Sequence, residues 1–165
     1  MSKFEESERK GRNLLHSFLQ HLNPVMEQDT QLYDEVDYYA WFSEKSAVFE
    51  VKVRNLINKF TGKVYDEILL SVNKVEALID RCVKYGLNAG YYACFFENKL
   101  YLFNVDKTPK RKGQQWCPRT TAGDNHDLVL KPVYYFKTAD AFVYENEGNV
   151  WRLIQKPYYK YGKGN

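Results

Sequence analysis

The chain has 165 residues, of which 44% are hydrophobic and 27% charged, the size and balance of one folded domain with a sizeable core. No stretch approaches 18 consecutive apolar residues and the first residues lack the apolar run of a signal peptide, so no membrane span or leader is expected. The net charge of +3 is too small to demand a polyanionic partner by itself.

The distribution of charge says more than its sum. Residues 1–50 hold ten acids and five bases, net −5, and residues 51–165 hold nineteen bases and eleven acids, net +8. An acidic cluster beside a basic surface suits cations facing phosphates, although charge runs are also common on plain solvated faces. Cys82, Cys94 and Cys117 are odd in number, widely spaced and without CxxC or Cys/His ligand spacing. A zinc site and a disulfide framework are therefore not expected, and a reducing, cytoplasmic setting is.

Residues 3–22 read as an amphipathic helix. Phe4, Gly11, Leu15, Phe18 and Leu22 recur at three- and four-residue steps, with Leu14 and Leu19 widening the stripe. Glu8 falls inside this stripe, where a carboxylate needs a partner unless it lies on the wet edge. Asn23-Pro24 ends the helix. Residues 31–42, QLYDEVDYYAWF, are aromatic and β-prone, residues 43–46 read as a turn, and 47-AVFEVKVR-54 alternates strictly. Phe49, Val51 and Val53 share one face of that strand; Glu50, Lys52 and Arg54 share the other. The pair of strands makes a hairpin with Asp37 on one arm and Glu50 and Lys52 on the other.

Residues 55–63 look loop-like, and 64–70 suit a strand or an extended crossing. Residues 73–86, NKVEALIDRCVKYG, read as a helix with a capping box at Asn73 and Glu76 and a glycine stop at Gly86. Its apolar stripe is Val75, Leu78, Ile79 and Cys82, with Lys74, Arg81 and Lys84 on another face. Residues 90–96 and 99–105 pair across Glu97-Asn98. Residues 106–127 read as a polar loop, within which KTPKRKGQQWCPR sets five bases around Trp116. Lys110, Arg111, Lys112 and Trp116 combine charge with a stacking surface, which suits nucleic acid, or merely aids solubility. Pro132 marks 129–136 as an edge strand. Residues 142–145 and 150–154 form a hairpin around Glu147-Gly148, and the tail KPYYKYGKGN is basic and aromatic.

The order is helix, hairpin, helix, strand, with Asp37 followed by Glu50-Val51-Lys52. This resembles the PD-(D/E)XK nuclease superfamily, the group of restriction endonucleases and archaeal Holliday junction resolvases, in which an Asp ends one strand and (D/E)-X-K follows on the next. Val36 stands where the family's signature has proline. The resemblance covers roughly residues 3–105; residues 106–165 form a C-terminal β extension without a counterpart. It implies an α/β (α+β) restriction-endonuclease-like fold, with a central mixed β-sheet flanked by helices. It also implies a metal-dependent hydrolase acting on DNA phosphodiesters, with Mg²⁺ or Mn²⁺ as cofactor. Asp37 and Glu50 would hold the cation with the Val51 carbonyl, Glu8 would approach it from the first helix, and Lys52 would assist the attacking water. Asp34 and Glu35 compete with Asp37; Glu35 and Asp37 share strand parity, so a slip in register could exchange them.

Lys74, at a helix start, and Arg54, on the charged face, are candidate phosphate contacts; a solvated lysine and a carboxylate-paired arginine are the plain alternatives. Duplex or branched DNA is the expected partner, RNA stays open, and relatives of this kind often act as homodimers. Small stand-alone members occur among bacteriophage and bacterial proteins. The competing reading is a module of the same fold that binds nucleic acid or protein without cleaving, and a third is an unrelated interaction protein. His16, His21 and His126 form no HExxH pattern, and GxGxxG, Walker-type and GxSxG motifs are absent.

Overall fold

The computed structural model describes residues 2–118 and 127–162. Helix α1 (Lys3–His21) starts at Ser2, whose hydroxyl accepts from the Glu5 N–H while the Glu5 carboxylate accepts from the Ser2 N–H. It buries Gly11, Arg12, Leu15, Phe18 and Leu19. Strand β1 (Met26–Asp29), which the sequence pattern did not announce, pairs antiparallel with β2 (Tyr38–Trp41), and β2 pairs antiparallel with β3 (Ser46–Val53). The expected hairpin is therefore present, closed at its turn by Phe42 N–H donating to the Lys45 carbonyl. Its first arm is shorter than residues 31–42: it starts at Tyr38, so Asp37 immediately precedes the strand instead of ending one.

After β4 (Glu67–Ser71) comes α2 (Val72–Tyr85). It begins earlier than Asn73 and Glu76 suggest: Ser71 is the cap residue and makes no side-chain cap bond. Burying Val72 on the core side brings the first turn forward, at the expense of the local capping chemistry. Its end is as expected, with Gly86 in the left-handed conformation. Strands β5 (Ala89–Phe96) and β6 (Lys99–Asn104) form the expected hairpin, and β5 also runs parallel to β3.

Two expectations fail beyond residue 105. The polar segment read as a loop contains β7 (Lys110–Pro118), paired throughout with β8 (Leu128–Lys137); residues 119–126 lie outside the described residues. Strand β8 is central, not an edge, between β4 and β7. Pro132 is tolerated because β4 pairing ends at Ser71↔Val133, one residue short of it, so β8 has only one neighbour there. Strands β9 (Phe142–Glu147) and β10 (Val150–Gln155) turn at Gly148-Asn149, both with positive φ, one residue later than expected.

Seven strands form a mixed sheet in the order β1-β2-β3-β5-β6-β9-β10, and β4-β8-β7 form a second sheet. The larger sheet is covered on both faces. On one, Leu15, Phe18 and Leu19 of α1 pack on Phe49, Val51, Ala93 and Phe95. On the other, Val75 and Leu78 of α2, Ile68 and Leu70 of β4 and Phe136 of β8 pack on Val48, Tyr92 and Phe103. Helix α1 lies close to β3 at Gly11, where a Cβ would meet Val51 Cγ1 at 2.9 Å. Among the described residues no helix is long and apolar enough to cross a membrane.

Candidate active site

The pairing of β2 with β3 stops at Tyr38↔Phe49. Beyond that point β3 has β5 on one side and an opening on the other, while its side chains keep alternating. Phe49 and Val51 go to the α1 face, and Glu50, Lys52 and Arg54 to the α2 face. The chain enters β2 through Asp37, whose N–H donates to the Phe49 carbonyl, so Asp37 arrives at the same opening.

Asp37 and Glu50 are 3% and 0% exposed. Asp37 Oδ2 accepts from the Val51 N–H at 2.7 Å and Oδ1 from Arg12 Nη2 at 3.2 Å. Glu50 is met by two ammonium groups, Lys52 Nζ at 2.9 Å from Oε1 and Lys74 Nζ at 3.3 Å from Oε2. Neither Glu50 oxygen is saturated by aligned hydrogen bonds. Lys52 also lies 3.5 Å from Glu8 Oε1, so the carboxylate on the core-facing stripe of α1 has its partner. Lys74, in the first turn of α2, donates to the Glu35 carbonyl as well and is no free surface lysine. Asp34 and Glu35 are exposed, and Glu35 pairs with Arg81, which leaves Asp37 as the acid at the opening.

Burial pushes the Asp37 carboxyl up to about 6, and neighbouring Glu50 adds to this; Lys52, the Val51 N–H and Lys74 pull the other way. Burial alone would lower the Lys52 ammonium, but Glu50, Asp37 and Glu8 outweigh it and hold its pKa above the ordinary value. Lys52 is thus a cation at neutral pH, suited to orienting a water or balancing charge and unsuited to accepting a proton.

The Asp37 shift has a sign that stability measurements read. A carboxyl with a folded pKa above its ordinary 3.8 binds more protons folded than unfolded, so its contribution is lost as pH rises through the interval up to about 6. In cation-free buffer, the unfolding free energy of the parent relative to Asp37→Asn is expected to fall by about 2 kcal/mol between pH 4 and 7. Urea titrations at the two pH values check it, and a flat difference would mean that Asp37 is solvated.

Arg12 is the site residue that the sequence pattern did not single out. It is buried and donates to the Asp37 and Thr30 carbonyls at 2.9 and 2.7 Å, to Asp37 Oδ1 and to Asp29 Oδ1. One arginine therefore ties α1 to the loop between β1 and β2 and to a site carboxylate. The available signal was a basic residue in the buried stripe of α1, one turn after Glu8.

A cleft of about 570 Å³ opens beside Lys52 and Lys74 and is lined also by Phe4, Glu8, Arg54 and Trp116; the buried Asp37 and Glu50 are not among its lining residues. Arg54 lies within electrostatic reach of Tyr92 and Glu50. Lys110, Arg111 and Lys112 are not among the lining residues: Lys110 and Lys112 lie over the Tyr134 ring, and Arg111 stacks on Tyr135 and pairs with Glu67 at 2.9 Å. Glu50, whose buried oxygens lack aligned hydrogen-bond donors, and Asp37, whose two oxygens accept from the Val51 N–H and Arg12, are hard oxygen donors of the kind that suits a hard divalent cation, which keeps several waters of its own. The Val51 carbonyl, two residues on from that of Phe49, points to the same open side. Among the described residues no group of three or more His, Cys, Asp or Glu forms a ready-made cage.

No protein-family model matches the chain, and no curated protein matches it. Among solved structures it is similar to Hjc, a Holliday junction resolvase from the archaeal hyperthermophile Archaeoglobus fulgidus. The two are 18% identical, the match covers 78% of this chain and 82% of that one, and the TM-score is 0.50. At this identity the likeness speaks to architecture, and it agrees with the element order and mixed sheet described above. The chain has a restriction-endonuclease-like fold, with additional C-terminal strands.

Proposed function

We propose that the chain is a divalent-cation-dependent nuclease that hydrolyses phosphodiester bonds in DNA. The observation that carries this reading is Glu50: a fully buried carboxylate with unsaturated oxygens, beside Asp37 and 2.9 Å from Lys52, which itself lines the cleft. Burying such a group without full hydrogen bonding costs stability, a cost that a binding surface has no reason to carry. Asp37 and Glu50, with the Val51 carbonyl, would hold Mg²⁺ or Mn²⁺. Such a cation neutralises phosphate charge and lowers the pKa of water.

The chain's own groups do the rest. Charged Lys52 orients the attacking water and balances the charge that develops on phosphorus oxygens. Glu8 pairs with the Lys52 ammonium at 3.5 Å and helps to hold it. Lys74 and Arg54 contact the phosphate backbone, and Lys110, Arg111, Lys112 and Trp116 extend the contact along the second sheet. The substrate is duplex or branched DNA, the resolvase neighbour being named for a branched one. Two copies acting together would cut both strands. The whole chain reads as one catalytic domain working in the cytoplasm.

One observation favours a second reading. Lys52 and Lys74 already balance Glu50, so the site is electrostatically complete without a cation and would serve a module that binds without cleaving. A cleavage assay separates the two. Purified protein meets single-stranded, duplex and branched DNA, and RNA, with Mg²⁺, Mn²⁺ or EDTA. Cutting of DNA in the presence of a cation and none in EDTA is expected. Salt-sensitive binding without cutting in either metal would replace the nuclease by the binding module.

A further inference from the structure

The β7–β8 ribbon is longer than the sheet that supports it. Pairing of β4 with β8 ends at Ser71↔Val133, while β7 and β8 stay paired to Pro118↔Leu128. The pairs from Gln114↔Pro132 outward form a two-stranded arm of about 16 Å. Its faces differ. Gln115, Cys117 and Lys131 share one face and line the catalytic cleft together with Lys52, Arg54 and Lys74. The other face sets Trp116 directly opposite Leu130, with Leu128 next along, and these are 62%, 47% and 60% exposed. Trp116 and Pro118 of this face line the cleft as well.

An isolated two-stranded ribbon is marginal in water, and clustered large apolar side chains on its outer face call for a partner. The charge of the ribbon indicates which kind. Strands β7 and β8 contain Lys110, Arg111, Lys112, Lys131 and Lys137 and no acid. A polyanion that also carries flat apolar groups complements both properties: phosphates meet the bases of the strands, and a nucleobase stacks on the indole. Inside a duplex the face of a base is already covered by its neighbours, so only an unpaired base is available to Trp116.

We propose that the β7–β8 ribbon is a DNA-binding arm on which Trp116 stacks an unpaired base, so that the chain selects DNA with single-stranded or branched segments next to the cleft. This deepens the nuclease reading and rests on it for the position of the scissile phosphate; the stacking itself does not.

Trp116 is exposed and outside both cores, so its replacement leaves the fold intact. Fluorescence anisotropy in EDTA, with a single strand, a blunt duplex, a flapped duplex and a four-way junction, compares the parent with Trp116→Ala and Trp116→Phe. The alanine variant is expected to bind the single strand and flap about ten-fold more weakly, and the blunt duplex within about two-fold, with phenylalanine retaining most of the affinity. Unchanged binding by Trp116→Ala, or an equal loss on the blunt duplex, would overturn the arm. So would a dimer of the parent, seen by light scattering, that Trp116→Ala dissolves, since the patch would then join two copies of the chain. Cleavage of the same panel with Mg²⁺ or Mn²⁺ keeps the two ideas apart. Trp116-dependent binding without cleavage removes the nuclease and leaves the arm; cleavage with Trp116-independent binding removes the arm and leaves the nuclease.

Discussion

Lys52→Ala is expected to lower cation-dependent DNA cleavage by roughly a hundred- to a thousand-fold, the range for removing one preorganised charge-stabilising donor. Binding of the same DNA in EDTA should change by no more than a few-fold, because Lys52 is one of several cations in the cleft. The informative companion is Lys74→Ala. Both ammonium groups approach Glu50, but Lys52 alone also touches Glu8, and Lys74 is anchored to the Glu35 carbonyl at the start of α2. If Lys52 acts on the reacting groups and Lys74 on the phosphate backbone, the first variant loses kcat and the second raises KM. Equal losses in kcat from both would show that each merely balances the charge of Glu50. Lys52→Arg should not restore the rate, since a planar guanidinium cannot place its charge where a compact ammonium does.

The second large effect is expected at Arg12. Its donors hold a side-chain oxygen of Asp37, the main-chain oxygens of Thr30 and Asp37, and Asp29. Arg12→Ala leaves Asp37 buried with one cation fewer and frees α1 from the β1–β2 loop. A loss of about 3–5 kcal/mol of stability is expected, as for breaking a buried ion pair from one side. Removing the cation also favours the protonated acid, so the acid limb of the cleavage profile should move to higher pH. Urea unfolding reads the first and a pH–rate profile the second. Arg12→Lys should recover only part of the stability, because one ammonium cannot span these acceptors. A stability change below about 1 kcal/mol would place Arg12 among ordinary surface ion pairs.

Much of the site was legible because it is local. The alternation from Phe49 to Lys52 shows which side chains share a face whatever the rest of the chain does. Glu8 was readable as an acid on an apolar stripe, although its partner Lys52 is 44 positions away. Arg12 was not, because its meaning comes from partners 17 to 25 residues distant. Strand β7 was hidden for a similar reason. KRKGQQWCP has neither alternation nor β-propensity, and it is extended because β8 pairs with it along its whole length. Pro132 misled in the opposite direction: the rule excluding proline from interior strands applies bond by bond, and β8 is interior along only part of its length. At α2 the burial of Val72 outweighed a sound capping box at Asn73 and Glu76.

The Val51 side chain has no chemistry of its own, yet Val51 sets the spacing of the site. Its N–H holds Asp37 Oδ2, and its side chain rests where Gly11 lets α1 settle against the sheet. Helix α1 carries Glu8 and Arg12, so the volume of one methyl-bearing side chain fixes how far these two stand from the carboxylates on the strands. The position between Glu50 and Lys52 therefore works as a gauge block. A larger residue there, or any side chain at Gly11, would leave every charged group in place along the sequence and still push the two halves of the site apart.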